Sequence, residues 1–185
     1  MRQATTILRD EHEAILKILG ATEEAVRRIS AGGKVRPETL NGLVEFIRLF
    51  ADKCHHGKEE DLLFPLLESR GMPRAGGPTG VMLREHDEGR SLVRRMAEAA
   101  QACSWGEDSQ QKFAEAARLY VELLRQHIFK ENNILFVMAE NMLSAEEQEK
   151  LAAEFDRVEL EKLGAGTHER LHASMEKLVA ELATH

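Results

Sequence analysis

The chain has 185 residues, of which 43% are hydrophobic and 31% charged, and its formal net charge is −7 at pH 7. This length allows one domain with a sizeable core. The negative charge argues against a general nucleic-acid binder, and two cysteines cannot form a disulfide framework. No apolar run is long enough to span a membrane, and charged residues follow Met1 too soon for a signal peptide. We therefore expect a cytoplasmic protein that binds neither nucleic acid nor membrane.

The composition favours helix over strand, because Ala, Leu, Glu, Lys and Arg dominate and aromatic residues make up only 5% of the chain. Apolar residues at helical spacing predict four long helices, over residues 4–31, 37–69, 80–103 and 109–141. In the last of these, Ile134 and Met138 are expected on the apolar side. We expect Thr5 or Thr6 to cap the first helix and Pro65 to bend or end the second, with a short continuation to Ser69 possible.

Glycine- and proline-rich segments predict the joints between the helices, over residues 70–80 and 104–108. A capping box from Ser144 to Glu147 predicts a fifth helix that ends near Leu163, and a short sixth helix follows residues 164–167. The sequence therefore predicts an all-α fold, an up-down-up-down four-helix bundle with a helical C-terminal extension. We expect the bundle to comprise residues 1–143 and the extension, packed on the same domain, residues 144–185.

Two segments pair a histidine with a carboxylate four residues later, which places both side chains on one helix face. In the first segment His55-His56 precedes Glu59-Glu60, so that two pairings are possible. The later segment from His127 to Phe136 selects between them. Its run Lys-Glu-Asn-Asn-Ile-Leu-Phe aligns with Lys-Glu-Glu-Asp-Leu-Leu-Phe of the first, which matches His55 with His127 and Glu59 with Glu131. We therefore predict His55 and Glu59 as ligands, with His56 and Glu60 as neighbours.

The repeat extends upstream to a single histidine in each half, His12 and His86, both within a Glu-His-acid sequence. Two antiparallel helix pairs related by a rough two-fold axis would direct four histidines and two glutamates into one interior volume. Such a set could hold two metal ions, with both carboxylates bridging and two histidines on each ion. Imidazole and carboxylate suit iron, zinc or manganese, and the lack of clustered thiolates argues against an iron–sulfur centre. Iron would leave room for a bridging oxide or hydroxide and an open position for dioxygen, peroxide or nitric oxide.

This pattern of residues resembles the hemerythrin-like (HHE cation-binding) family of di-iron four-helix bundles, over about residues 5–140. The strings His-His-Gly-Lys-Glu-Glu-Asp-Leu-Leu-Phe-Pro and Glu-His-Asp-Glu carry the resemblance. It implies a non-haem site with two oxo- or hydroxo-bridged iron ions that meets O2 or related small molecules; zinc or manganese is less expected. It also implies six metal ligands, the terminal residues His12, His55, His86 and His127 and the bridging residues Glu59 and Glu131.

One position departs from the oxygen-carrying hemerythrins, which have a further histidine four residues after the ligand of the third helix. Here that position is Arg90. The loss of one imidazole favours a more open centre for sensing, redox chemistry or handling of nitric oxide or peroxide over simple O2 carriage. Iron-cluster repair members of the wider family share the His-x-x-x-Glu pattern. They usually carry an additional cysteine-bearing N-terminal region, and the early position of His12 makes that function less expected.

Several further residues have both a functional and an ordinary interpretation. Four acidic residues could orient ligand imidazoles, although such charges more often form a solvated helix face: Glu11, Glu85, Asp87 and Glu88. Cys54 is expected to be a small buried thiol rather than a redox sensor. We expect Tyr120 to be a core aromatic residue, and His168 and His172 to be surface or packing residues.

The leading hypothesis is a hemerythrin-like di-iron protein that binds or reacts with O2, nitric oxide or peroxide. The alternative is a regulatory or interaction module whose fold responds to iron or oxygen, with residues 144–185 contacting a protein partner. A metal-free structural bundle is a third and weaker hypothesis. The sequence leaves open whether the protein is an enzyme, what its physiological ligand is and whether it forms oligomers.

Overall fold

A computed structural model describes residues 3–102 and 107–183, and these residues are helical almost throughout. Six helices follow one another, and we number them α1 (Ala4–Ser30), α2 (37–69), α3 (Pro78–Gln101), α4 (107–142), α5 (Ala145–Leu163) and α6 (Thr167–Ala183). No strand occurs within the described ranges, which confirms the predicted all-α class. The predicted joint at 104–108 lies largely outside these ranges, as does Cys103.

The four long helices pack as a closed ring. Helix α1 contacts α2 and α4, and α3 contacts the same two helices from the other side. Large apolar side chains fill the space between them, and Phe46, Phe50 and Phe113 are at most 1% exposed. The arrangement is that of a hemerythrin-like helical bundle. The up-down-up-down order of the four helices stays a prediction from the short connections between them.

The two C-terminal helices complete the core. Helix α6 lies against α1 and α2 and adds Leu171, Met175 and Leu178 to the main apolar cluster. Helix α5 also lies against α1 and α2, and its Phe155 is fully buried in a second cluster. Residues 144–183 therefore bury apolar area together with the bundle, while the division at residue 143 stays a prediction.

Helices α2 and α4 both change to π-helical hydrogen bonding where their His-x-x-x-Glu segments lie. In α2 the π-helical turns are Ile47–His56 and Glu59–Leu63, and in α4 the turn is Glu131–Leu135. Short π-helical turns inside α-helices are frequent at functional sites. The sequence repeat therefore extends to the backbone, because a π-helical turn begins at each predicted bridging glutamate.

Pro65 does not end α2, which continues to Ser69 through the segment Phe64–Ser69. The proline lies in the first turn of this α-helical segment, directly after the π-helical turn. Proline is tolerated in a first turn, because its missing N–H group has no obligatory partner there. The short continuation to Ser69 is thereby confirmed.

Two residues that were expected on the apolar side of α4 are exposed instead. Ile134 is 50% exposed and Met138 37% exposed, whereas Leu135, Phe136 and Ala139 are buried. The prediction assumed a regular α-helix. Each π-helical turn spans more residues than an α-helical turn, so that Glu131–Leu135 rotates the positions that follow it.

The start of α1 has no local cap, so the prediction that Thr5 or Thr6 caps it is wrong. Gln3 occupies the N-cap position without a side-chain bond, and Thr5 lies buried within the helix. The backbone N–H of Thr5 instead donates to Oε1 of Gln148 at 3.3 Å. A residue of α5 thus satisfies a donor that a local side chain was expected to satisfy. None of the described helices is long and apolar enough to cross a membrane.

The predicted capping box at the start of α5 is confirmed. Ser144 Oγ accepts from the Glu147 N–H at 3.3 Å, and Glu147 Oε2 accepts from the Ser144 N–H at 2.8 Å. We expect Ser144→Ala to lower the free energy of unfolding by about 1 kcal/mol, because the helix loses its cap. Urea denaturation measures the change, with Ser91→Ala on the exposed face of α3 as control. Equal effects of the two variants would contradict the prediction.

Candidate metal centre

The bundle brings all six predicted ligands together in its interior. Helix α1 supplies one of them, α2 two, α3 one and α4 two, and each side chain is 0 or 1% exposed: His12, His55, Glu59, His86, His127 and Glu131. None of the six is left at the surface or in a different part of the fold. The two halves of the sequence repeat thus contribute their candidate ligands to one site.

Each of the two carboxylates lies between two histidines. Glu131 Oε2 is 3.1 Å from His12 Nε2, and Glu131 Oε1 is 3.1 Å from His127 Nε2. Glu59 Oε1 is 3.7 Å from His55 Nε2, and Glu59 Oε2 is 3.5 Å from His86 Nε2. His12 and His55 form one side of the site, and His86 and His127 form the other. A carboxylate that directs one oxygen to each side has the arrangement of a bridging ligand.

The other ring nitrogen of every one of these histidines has an acceptor. Nδ1 of His55 lies 2.8 Å from Glu11 Oε2, and Nδ1 of His127 lies 2.9 Å from Glu85 Oε2. Ionised carboxylates can only accept, so Nδ1 carries the hydrogen in both rings, and in neutral His55 the Nε2 lone pair faces the site. Nε2 of His127 instead lies 3.1 Å from Nε2 of His86. Histidines that bind metals are oriented in this way by their second nitrogen.

The two remaining histidines bond across to the opposite half of the repeat. Nδ1 of His86 lies 2.6 Å from Glu60 Oε1, and Nδ1 of His12 lies 2.9 Å from Asn132 Oδ1. Glu60 and Asn132 are the residues directly after the two bridging candidates. The sequence comparison had aligned these two positions but assigned them no such contact. Glu60 and Asn132 occupy matching positions in the repeat, and this match could have identified both as partners of the histidines.

Of the four acidic residues that could orient imidazoles, two do so. Glu11 and Glu85 bond to His55 and His127, so the general expectation of a solvated face is wrong for them. Asp87 and Glu88 are exposed, as expected for a solvated helix face. Each bonding residue directly precedes the single histidine of its half. The tertiary structure turns this position towards the partner helix.

Several of the donor atoms have no hydrogen-bond partner. No hydrogen bond of acceptable geometry reaches His12 Nε2, His55 Nε2, or either oxygen of Glu59 and Glu131, although all are buried. Two unpaired carboxylates in a dry interior are costly. One donor atom each of His12, His55, Glu59 and Glu131 lie within 4.8 Å of one another, which fits a bound cation. The residues present therefore fit a metal site.

The pKa values of the site residues reflect the cost of burying charged groups. Burial and the neighbouring carboxylate of Glu131 raise the pKa of Glu59 well above its ordinary value. Burial lowers the pKa of His55 to about 4 and that of His86 to about 3, so both rings are neutral at pH 7. At His127 burial acts in the same direction, but Glu131 and Glu85 outweigh it and raise the pKa to about 9. His55 and His86 are thus in the neutral form that binds metals, whereas His127 would release a proton on binding one.

A fifth histidine, His56, lies beside the site. It is 4% exposed, and its ring stacks on His86 with centroids 3.8 Å apart. One ring nitrogen of His56 lies within 4.8 Å of a donor atom each of Glu59, His86 and His127. The sequence comparison assigned His56 as a neighbour, because the matching residue of the other half is Ile128. The structure places it among the donor atoms of the second side.

Arg90 occupies the position where a further histidine was expected in oxygen carriers, and it is paired. Its Nε donates to Asp52 at 2.8 Å and its Nη2 to Glu60 Oε1 at 2.6 Å. Since Glu60 also bonds to His86, Arg90 supports the orientation of that ring without reaching the donor atoms itself.

A cavity of about 420 Å³ leads to the second side of the site. His56, His86, Arg90 and Tyr120 are among the residues that line it. Tyr120 is 2% exposed and belongs to the main apolar cluster, as expected for a core residue, but it also forms part of the cavity wall. The cavity is large enough for a molecule of a few atoms, and it ends at imidazoles.

The remaining candidates behave as packing residues. Cys54 is fully buried, and burial raises the pKa of its thiol to about 12, so that it is not reactive at neutral pH. His168 and His172 pack against Phe50 with ring centroids 5.4 and 5.3 Å away. Both outcomes agree with the expectation from sequence.

In the metal-free protein, Glu59→Gln should raise the free energy of unfolding at pH 7 by on the order of 1 kcal/mol. The amide needs neither a buried charge nor the proton that Glu59, with its raised pKa, takes up on folding. A carboxyl whose pKa is raised on folding destabilises the fold above its unfolded pKa. The gain should therefore shrink as the pH falls towards the ordinary glutamate value. Urea denaturation with chelator at two pH values tests this, with the exposed Glu88→Gln as control. A loss of stability at both pH values would contradict it.

Comparisons with known proteins agree with this geometry. An uncharacterized protein of Mycobacterium tuberculosis, Rv1995, is 27% identical over 155 residues, which cover 83% of this chain and 60% of the relative. The iron-sulfur cluster repair proteins YtfE of Dickeya chrysanthemi and Salmonella typhimurium are 31% identical over 140 residues, 70% of this chain and 60% of theirs. The chain thus spans about 60% of the length of these curated relatives.

The family model described as the hemerythrin HHE cation binding domain matches residues 3–139, which contain all six predicted ligands. The matched range covers α1 to α3 and most of α4, the four helices that surround the site. The chain therefore belongs to the hemerythrin HHE cation-binding domain family.

Proposed function

We propose that the protein is an up-down-up-down hemerythrin-like bundle that holds two iron ions and binds or reacts with dioxygen, nitric oxide or peroxide. The observation that carries this proposal is the set of four imidazoles whose Nδ1 groups have acceptors and whose Nε2 atoms surround two unpaired carboxylates. A merely structural cluster would satisfy its buried polar atoms internally.

The proposed first metal position has His12 and His55 as ligands, and the second has His86 and His127. Glu59 and Glu131 would be shared between the two positions. Nitrogen and oxygen ligands of this kind suit iron, zinc or manganese, and the relatives named for iron–sulfur cluster repair favour iron. Iron bound there would supply an open coordination position and redox chemistry for a small molecule.

The chain's own residues shape the second position. His56 reaches it from α2 and supplies a third imidazole, which takes the place of the histidine that Arg90 replaces. Arg90 and Glu60 hold the His86 ring, and the cavity beside Tyr120 admits a small molecule to this side.

Two other functions have specific support. The YtfE relatives favour a part in iron–sulfur cluster repair, which would use the same metal centre. The packing of α5 and α6 on the bundle favours a regulatory module in which loss of metal loosens the fold and changes the surface offered to a protein partner. Protease resistance and partner binding, compared with and without iron, distinguish the regulatory module from small-molecule chemistry alone.

Metal analysis is the direct test of the centre. Protein expressed in iron-replete medium should contain about two irons per chain, and Glu131→Gln should lose at least half of them, because one bridging carboxylate is removed. Elemental analysis of purified protein measures this, with the exposed Glu88→Gln as matched control. Wild-type protein that folds but retains no iron would overturn the proposal.

The variant His56→Ile replaces His56 with the residue type found at the matching position of the second half, Ile128. We expect the variant to bind one of its two irons roughly tenfold more weakly. We also expect smaller changes in its charge-transfer absorption when the reduced protein meets dioxygen, nitric oxide or peroxide. Absorption titrations with chelator and with each small molecule test this, and Ile128→Val serves as control. Behaviour identical to wild type would remove His56 from the site.

A further inference from the structure

We propose that the C-terminal helices tune the first metal position through a buried chain of Glu159, Lys58 and Glu11, which makes Glu159 a positioning residue for His55. This inference rests on the proposed function, because it requires a metal at His55. It assigns a role to residues beyond the part of the chain that the family model matches.

The chain of contacts begins at the metal side. Glu11 Oε2 accepts from Nδ1 of His55 at 2.8 Å, and Glu11 Oε1 accepts from Nζ of Lys58. The same Nζ donates to Oε2 of Glu159, on α5, at 2.8 Å. Three contacts therefore connect a C-terminal helix to the ring of a proposed ligand.

The contacts between Glu159, Lys58 and Glu11 are largely buried, so water cannot easily replace a lost partner. The side chain of Lys58 is 1% exposed and that of Glu11 is 6% exposed. A buried ammonium is stable only where carboxylates surround it, and Lys58 has two of them. Without Glu159, Lys58 would have Glu11 as its one remaining carboxylate, and a shift of Glu11 would change the orientation of the His55 ring.

Neighbouring contacts hold Glu159 in place. Nδ1 of His168, on α6, lies 2.9 Å from Glu159 Oε1. One turn before Glu159, Phe155 is fully buried, and shortly after it Lys162 donates to Asp61 of α2 at 2.6 Å. The position of Glu159 is thus determined by how α5 and α6 dock on the bundle.

The other half of the repeat provides an internal comparison. Nδ1 of His127 bonds to Glu85, and Nζ of Lys130 bonds to the second oxygen of Glu85. Lys130 aligns with Lys58 in sequence, but its side chain is 32% exposed, and the described residues offer it no second carboxylate. The lysine of the His–Glu–Lys arrangement is therefore partly exposed in one half and covered by α5 in the other.

This difference makes the two proposed metal positions inequivalent. Partners that orient a ligand histidine typically change metal affinity 10- to 100-fold when they are removed. On the solvent side, water can replace a lost partner of Lys130. On the covered side, Glu159 is the second carboxylate at Lys58 Nζ, and the thiol of Cys54 donates to the same Glu159 oxygen at 3.8 Å. The effect of Glu159 should therefore be confined to the iron bound by His55.

The test compares Glu159→Gln with Glu154→Gln, an exposed glutamate on the same helix. Both variants are expressed as the full chain, loaded with ⁵⁷Fe and challenged with a chelator, and Mössbauer spectra report the two irons separately. We expect Glu159→Gln to weaken one iron roughly tenfold and to leave the other unchanged. Glu159→Asp should restore part of the affinity, and Lys130→Met should have little effect on that same iron.

Three outcomes would overturn the inference. Glu159→Gln could match Glu154→Gln, could weaken both irons equally, or could act only in proportion to a loss of stability measured on the metal-free protein. Since Glu159 is partly exposed, its glutamine variant is expected to fold even if Lys58→Met does not. Wild-type protein without iron would instead indicate failure of the proposed function, so the two failures are distinguishable.

Discussion

The structure depends on the burial of two carboxylates, Glu59 and Glu131, face to face in the middle of a helical bundle. Their charges cannot coexist in a dry interior without cations or protons. Burial and mutual repulsion already raise the pKa of Glu59. Four imidazoles turn their Nε2 atoms towards these carboxylates, and a π-helical turn begins at each glutamate. The bundle is thus arranged around a deficit of positive charge that metal ions can remove.

Around this centre the sequence repeat produces two kinds of contact. Within each half, the residue before the single histidine bonds to the histidine of the His-x-x-x-Glu segment, as Glu11 does to His55. Between the halves, the residues that directly follow Glu59 and Glu131 bond to the other half's single histidine, as Glu60 does to His86. Every ring is therefore oriented by an acceptor that the repeat places. This consistency across both halves is what distinguishes the site from a chance cluster of polar residues.

The departures from the repeat give the two sides of the site different surroundings. His56 stands where the other half has Ile128, and the cavity opens on that side. Lys58 is sealed by Glu159, whereas Lys130 reaches solvent. One side is therefore accessible and rich in imidazole, and the other is enclosed by the C-terminal helices. Such a difference suits a centre in which one position meets a small molecule and the other stays fixed.

The helical class, and the meeting of the six candidate ligands in one interior, could be predicted from sequence because both depend on local or repeated signals. Helical spacing identifies buried faces, and the comparison of the two halves selected His55 over His56 as the ligand that aligns with His127. The errors arose where one element meets another. Gln148 of α5 caps the start of α1. Ile134 and Met138 are exposed because of a π-helical turn that the sequence pattern does not predict.

The sequence by itself determined which residues could bind metal, because ligand chemistry and the spacing of four residues along a helix are properties of the chain. Only the tertiary structure decided which acceptor orients each imidazole, that His56 joins the donor atoms, and that Lys58 is buried against Glu159. The physical reason is that burial and pairing depend on which helices lie side by side. Residues as distant in sequence as Lys58 and Glu159 meet only after α5 has docked on the bundle.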